Sequence, residues 1–306
     1  MLFYALKRLG VAVLVVVTVS VITFSLLHLS GDPAAAMAGE NATQEDIEYV
    51  REHYGFDRPL IVQYMEWATS VLQGDLGESI YLKEMPVVEI IKVRAPVTMT
   101  LGACALSFAL LLAIPLGVLA AIYPNTIIDR IALTIAVLGQ AMPSFWFGLI
   151  LMYTFSLGLG WLPSAGSATW KHYIMPSIAL GYYAAPAIMR LTRAGMIEVM
   201  SSDYIRTARA KGLRPGIVIF KHALRNAIIP VVSLSAVQLG FMLGGSIVIE
   251  SIFTLNGLGW LAWQSIQRSD LFVLQAIVLT VALFYIVLTF LADLLNAFLD
   301  PRIRVR

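Results

Sequence analysis

The chain is 306 residues long, 59% hydrophobic and only 13% charged, whereas an ordinary soluble chain is about 25% charged. That balance excludes a disordered chain and argues against a soluble two-domain enzyme. The formal net charge of +2 does not point to nucleic acid, so the informative question is where the charges sit.

A hydrocarbon core of ~30 Å needs about 20 helical residues. Leu9–Leu29 is the first run of that length. Lys7 and Arg8 precede it and Ala34-Ala35-Ala36 follow it, as in a signal peptide. A signal core is only about 7–15 residues, so a retained first span is expected. Residues 30–95 carry twelve acids against five bases. Thr43-Gln44-Glu45-Asp46 has the form of a capping box, with Ile47 and Val50 at helical spacing behind it. Gly55 can end that helix. Pro59 can start another, with Ile61, Tyr64, Met65, Ala68 and Leu72 along one side. Gly74-Asp75-Leu76-Gly77 reads as a turn. This segment is either a packed helical cap or a docking surface for an external partner.

Val97–Ile122 and Ile131–Leu157 supply two further spans. Ile174–Met189 is shorter and carries Pro176 and Pro186, which predicts a kinked or tilted span. Ile228–Ile249 and Leu271–Leu291 complete six. Between the fourth and fifth, residues 190–225 hold eight bases and two acids. Burying eight central Arg or Lys side chains would cost on the order of 20 kcal/mol, so this stretch stays outside the bilayer. Its bases, Lys7 and Arg8, and Arg302, Arg304 and Arg306 all belong on the cytoplasmic side by the positive-inside rule. The expected fold is therefore an all-α integral membrane protein with six spans and both termini inside. The expected parts are 1–30, an outer helical segment 31–96, and a core 97–306 containing a basic loop 190–226.

Few residues carry chemistry. Cys104 stands alone in an apolar run, and His28, His53, His172 and His222 share no metal-ligand spacing. No lysine follows a glycine, so the chain lacks a phosphate-binding loop. Ser246 has no base to activate it, which argues against a serine protease. Gly240, Gly244 and Gly245 form a small-residue strip suited to close helix packing. The span centres hold only neutral polar groups. Gln140, Ser144, Gln238 and Ser246, with Met242 beside them, are candidates to line a path or to bond between helices. Glu250 and Asp293 lie near span ends, so an ion-coupled secondary transporter has weak support. The basic loop reads as two short helices, roughly Ala194–Lys211 and Pro215–Asn226, broken at Gly212 and Pro215-Gly216. It is either a solvated face near anionic headgroups or a lever that receives force from a cytoplasmic partner.

At this loop the chain resembles a known family. Asp203-Tyr204-Ile205-Arg206-Thr207-Ala208-Arg209-Ala210-Lys211-Gly212 is similar to the "EAA" loop of permease subunits in ATP-driven bacterial importers. Lys221 through Pro230 resembles its form in dipeptide, oligopeptide and nickel importers. The likeness extends to Gly31-Asp32-Pro33, Pro115-Leu116-Gly117, Met142-Pro143-Ser144-Phe145-Trp146, Glu250-Ser251-Ile252-Phe253 and Asp300-Pro301-Arg302. Arg206 and Thr207 replace the first two letters of the short general motif, and Gly212 keeps its glycine.

The resemblance implies a type I importer permease fold in the bacterial inner membrane, moving peptides or a related solute by alternating access. It implies a coupling helix at Tyr204–Gly212 in a groove of an ATPase subunit, with Arg206, Arg209, Lys211 and Arg225 facing acids there. The implied partners are a second permease in a heterodimer, two ATPase subunits and a periplasmic solute-binding protein. ATP and Mg²⁺ would bind the ATPase subunits, with no cofactor in this chain. The short segment Gly158–Tyr173 implies kinship with glutathione or nickel permeases; an opine is a further alternative. Trp161 and Trp170 on it would face the binding protein or sit in the interfacial aromatic belt.

Overall fold

The structure, a computed structural model, describes residues 2–29, 31–39, 42–82 and 85–299. The basic tail and Asp300-Pro301-Arg302 lie outside the described residues. Helices dominate, as a chain this apolar requires in lipid, where each backbone group must be bonded within its own segment. Two compact units emerge. One comprises residues 6–98 and 256–287. The other comprises 99–255 with both chain ends.

The first unit begins with α1 (Leu2–Leu29) and α2 (Pro33–Ala38). α2 is capped by Asp32, which accepts the Ala34 N–H. The capping box forms on α3 (Gln44–His53): Thr43 Oγ1 accepts the Asp46 N–H, and Asp46 accepts the Thr43 N–H. α4 (Leu60–Leu72) starts after Pro59 as expected, but packs differently. Its inward residues are Gln63, Tyr64 and Trp67, while Ile61, Met65 and Leu72 are exposed. Phe24 explains the rotation, because it stacks edge-on against Tyr64 and meets Trp67. Gly74 and Gly77 both take positive φ, and Asp75 Oδ1 accepts the Gly77 N–H, forming the expected turn. A two-residue antiparallel ladder follows, β1 (Glu78–Ser79) with β2 (Met85–Pro86). Ser79 donates to the buried Asp270 carboxylate at 2.5 Å, and the Arg268 guanidinium lies 3.4 Å over the Tyr81 ring.

α5 (Val87–Ile122) runs on into the second unit. There α6 (Ile127–Ala141) and α7 (Ser144–Leu151) replace the single third span expected over Ile131–Leu157. The break falls at Met142-Pro143, whose extended backbone a helix cannot continue. α7 then widens into a π-helical turn at Met152–Gly158. α8 (Lys171–Met200) contains both Pro176 and Pro186 and continues to Met200. The expected helix Ala194–Lys211 is thus divided. Residues 194–200 end α8, and Ser202 takes an extended conformation before α9 (Asp203–Ala210). The Ser201 and Ser202 hydroxyls donate back to the carbonyls of Glu198 and Val199, holding the corner. A π-helical turn, Ile217–Ala223, leads into α10 (Leu224–Ala227) and α11 (Ile229–Ile252). α12 (Leu258–Gln267) and α13 (Leu271–Leu299) close the chain.

Four helices among the described residues are long and apolar enough to cross a membrane: Ala5–Leu26, Val87–Ile122, Ile229–Ile252 and Leu271–Phe298. The third expected run is split at Pro143. The fourth lies inside α8, whose cations at both ends dilute its apolar stretch.

Close helix approaches are made at Gly181 and Gly117 rather than at Gly244 or Gly245. A Cβ at Gly181 would lie 2.3 Å from the Ala105 carbonyl oxygen, and one at Gly117 would lie 2.8 Å from the Met189 carbonyl oxygen. These two positions let α8 and α5 touch backbone to backbone. A Cβ at Gly244 or Gly245 would meet nothing within 4 Å.

Candidate functional site

Two places in the 99–255 unit gather the candidate residues. The first is the basic corner. Ile205 and Ala208 of α9 are buried in a cluster with Val118, Met196, Val218 and Ala227. Burying two apolar residues three apart leaves the rest of α9 outward. Asp203, Arg206, Thr207, Arg209 and Ala210 are exposed, as are Lys211 and Arg225. Arg206 pairs with Asp203 one turn earlier at 2.7 Å, an exposed pair of small energetic weight. Tyr204 is exposed and accepts a hydrogen bond from Asn226 Nδ2 at 2.7 Å, tying α9 to α10. Leu213, Ile217 and Phe220 add exposed apolar area beside these cations. The result is a mixed apolar and basic face.

The end of α9 is built on Gly212. Its φ is +73°, its N–H donates to Arg209 O at 2.9 Å, and the Leu213 N–H reaches Ala208 O at 3.4 Å. This paired closure is the Schellman arrangement, which needs a residue with positive φ.

The second place is a cavity of about 430 Å³ between α7, α8 and α11. Ser144, Gln238 and Met242 line it, with Gly245. Two wall residues escaped the sequence reading: Tyr183 on α8 and Phe241 on α11. Helical spacing carries the signal, since 180, 183, 184 and 187 form one face, and 238, 241, 242 and 245 form another. Ser246 falls one step off that face. It is buried and donates to Leu243 O. Gln140 lies in α6, and its side chain is outside the described residues.

A third feature was not foreseen. Asp129, at the start of α6, is 3% exposed and is held by Arg193 of α8 through two parallel hydrogen bonds. The Asn125 N–H adds a third at 2.9 Å. Both residues lie outside the apolar runs Ile131–Leu157 and Ile174–Met189 expected to span. The Arg193 hydrogen bonds hold the Asp129 carboxyl below its ordinary pKa, and the same bonds raise that of Arg193. Counting charge by segment hid this pair, because Asp129 cancels against Arg130 in the same connection.

An apolar helical chain with this cavity and an amphipathic basic corner has the build of a transport protein's membrane domain. Two crystal structures of the MetNI methionine ABC transporter, in inward-facing conformations, share the fold. They superpose with TM-scores of 0.59 and 0.57 at 18% identity, covering 69% of this chain and 96% of theirs. The chain belongs to the family described as binding-protein-dependent transport system inner membrane component, matched over residues 113–305, with that family's N-terminal component matched over residues 1–102. Among its relatives is the glutathione transport system permease protein GsiC of Pectobacterium atrosepticum, 44% identical over the whole of both chains. The proteins of that name from Salmonella typhimurium and Escherichia coli are 43% and 41% identical, again over the full length of both.

The chain is thus a multi-pass permease subunit of an ABC importer in the bacterial inner membrane. ATP hydrolysis resides in separate subunits, and the family works with a solute-binding protein. This membership sets aside the ion-coupled secondary transporter.

Proposed function

We propose that this permease carries glutathione or a peptide of similar size, pairing with a second, homologous permease to enclose one pathway. Full-length identity of 41–44% to glutathione permeases carries the reading. The cavity volume of about 430 Å³ supports it, lying within the range of about 300–1,000 Å³ for small-ligand pockets. Its walls offer neutral hydrogen-bonding groups from Ser144, Gln238 and Tyr183 beside apolar surface from Met242 and Phe241. Such a lining suits a polar solute that must pass without being held tightly.

In this reading the chain crosses six times with both termini in the cytoplasm. α6 and α7 together make the third crossing, and α8 makes the fourth. α9 seats in a groove of an ATPase subunit, and Arg206, Arg209, Lys211 and Arg225 face acids on that subunit. ATP-driven closure pushes α9, and α8 transmits the displacement because its last turns and α9 share one apolar cluster. The strip at Gly240, Gly244 and Gly245 faces the second permease. The test is uptake of labelled glutathione by the reconstituted importer with its binding protein. Uptake that Ser144→Trp abolishes, with ATPase subunits still bound, supports the reading. Absence of glutathione uptake while another solute is imported overturns the solute assignment.

A further inference from the structure

The Asp129–Arg193 pair plays no part in the transport reading so far, yet it lies between the basic corner and the cavity. Asp129 is the third residue of α6, and the N–H of Asn125, just before the helix, holds its Oδ2 at 2.9 Å. The carboxylate is therefore fixed with respect to α6. Arg193 of α8 closes on both oxygens, at 2.8 and 2.7 Å. A buried pair of this kind rarely stabilises more than apolar side chains of the same volume. What it adds is direction. A slip of α8 by one residue is a shift of about 1.5 Å, enough to break both bonds.

A second tie lies about three turns away along α8. Tyr182 Oη donates to the Ile135 carbonyl of α6 at 3.1 Å. Tyr182, Pro186, Met189 and Arg193 recur at helical spacing, so both ties fall on one side of α8. Between them, Ile135 and Ala136 of α6 face Ala185, Pro186 and Met189 across a small apolar void. Apolar contact is non-directional, so the polar ties set the register of the two helices.

The tied helices connect the corner to the cavity. Met196, one turn beyond Arg193, is buried in the cluster that holds Ile205 and Ala208 of α9. At its other end α6 passes through Met142-Pro143 into α7, whose Ser144 lines the 430 Å³ cavity with Tyr183 of α8. Phe147 of α7 also meets the Tyr182 ring, with centroids 5.1 Å apart. Gln238, Phe241 and Met242 of α11 line the same cavity.

We propose that the Asp129–Arg193 fork and the Tyr182–Ile135 bond make α6, α7 and α8 one rigid arm. A displacement of α9 then moves the Ser144 and Tyr183 walls together against the α11 wall. Asp129, Arg193 and Tyr182 are positioning residues for transport. The inference rests on α9 being the helix that the ATPase subunit moves.

Pulsed electron paramagnetic resonance on the assembled importer in lipid nanodiscs tests this, in a Cys104→Ala background. One spin-label pair, Leu138→Cys on α6 with Ile197→Cys on α8, reports on the arm. A second, Ile197→Cys with Val248→Cys, reports on the arm against α11. All three positions are exposed. Between the nucleotide-free and ATP–vanadate-trapped states, the α8–α11 distance should shift and the α6–α8 distance should not. Arg193→Lys keeps the charge but cannot make both bonds. It should broaden the α6–α8 distribution and lower labelled glutathione imported per ATP hydrolysed by about fivefold, a ratio that lost stability alone does not change. Tyr182→Phe removes a single oxygen and should act in the same direction, so it decides the matter if Arg193→Lys fails to assemble. An α6–α8 distance that shifts as much as the α8–α11 distance overturns the proposal, as do unbroadened α6–α8 distances in both variants. These distances require no knowledge of the solute. Failure of the underlying reading shows separately: charge reversal at Arg206 and Arg209 would then leave the ratio intact, and the proposal would fall with it.

Discussion

Arg193 Nε lies 2.8 Å from Asp129 Oδ1 and Arg193 Nη2 lies 2.7 Å from Asp129 Oδ2, so one planar fork locks the C-terminal part of α8 to the start of α6. Removing one member leaves the other charge buried or half-buried without its partner. Asp129→Ala should therefore destabilise the importer by about 3–5 kcal/mol. Thermal unfolding of the purified complex measures this. The exchange Asp129→Arg with Arg193→Asp should recover part of the loss, and Arg193→Lys less than all of it, since an ammonium cannot make both bonds.

The same pair sets a pH dependence. The Asp129 carboxyl is depressed in the folded chain, so the unfolded chain binds the proton first. The pair's contribution is complete above the ordinary carboxylate value of about 3.9 and fades as pH falls through the lower folded value. Unfolding temperature against pH, compared between the native chain and Asp129→Asn, should show a gap that is constant from neutrality to about pH 4 and narrows below it. A gap that closes at pH 6 would contradict this assignment.

Gly212 should tolerate Asn better than any β-branched residue. At φ +73° with open space around it, the obstacle to substitution is backbone strain rather than crowding. Asn visits this region readily and Val does not. Gly212→Val and Gly212→Asp should uncouple ATP hydrolysis from uptake, with expression retained, and Gly212→Asn should keep most of the coupling. Parallel measurements of ATPase rate and uptake decide the point.

Gly181 and Gly244 should behave in opposite ways. Gly181→Ala forces a methyl to 2.3 Å from the Ala105 carbonyl oxygen, so α8 must move away from α5. Overpacking of this kind costs about 1–3 kcal/mol, and more where backbone must shift. Gly244→Ala meets nothing in this chain. It should leave the stability of the isolated subunit unchanged and weaken only its pairing with the second permease, read by co-purification.

Sidedness can be read with single cysteines in a Cys104→Ala background. A cysteine at Ser201 should react with an impermeant maleimide only from the cytoplasm, and one at Ala38 only from outside. The reverse pattern would invert the proposed topology.

Much of this was legible in the chain alone. The acidic run 30–95 and the basic run 190–225 follow from composition, because charge is excluded from hydrocarbon whatever the packing. Thr43 and Asp46 announce their helix start because a capping box is closed by residues three apart. Gly212 marked a helix end for the same local reason. Where the signal was local but ambiguous, the sequence reading went astray. Ile131–Leu157 is apolar throughout, and only the extended backbone at Met142-Pro143 divides it. Of the side shared by Ile61, Tyr64, Met65, Ala68 and Leu72, only Tyr64 meets Phe24, some forty residues away in sequence, while Ile61, Met65 and Leu72 stay exposed.

Sequence by itself determined the class of molecule: an apolar helical chain, an uneven charge distribution and a basic loop broken at Gly212, all set by solvent preference and short-range geometry. Tertiary structure decided which neighbours meet. It joined Arg193 to Asp129 across 64 residues and brought Gly181 against Ala105. Such contacts depend on how helices cross and rotate. That outcome is a sum of many small packing energies, and no stretch of neighbouring residues encodes it alone.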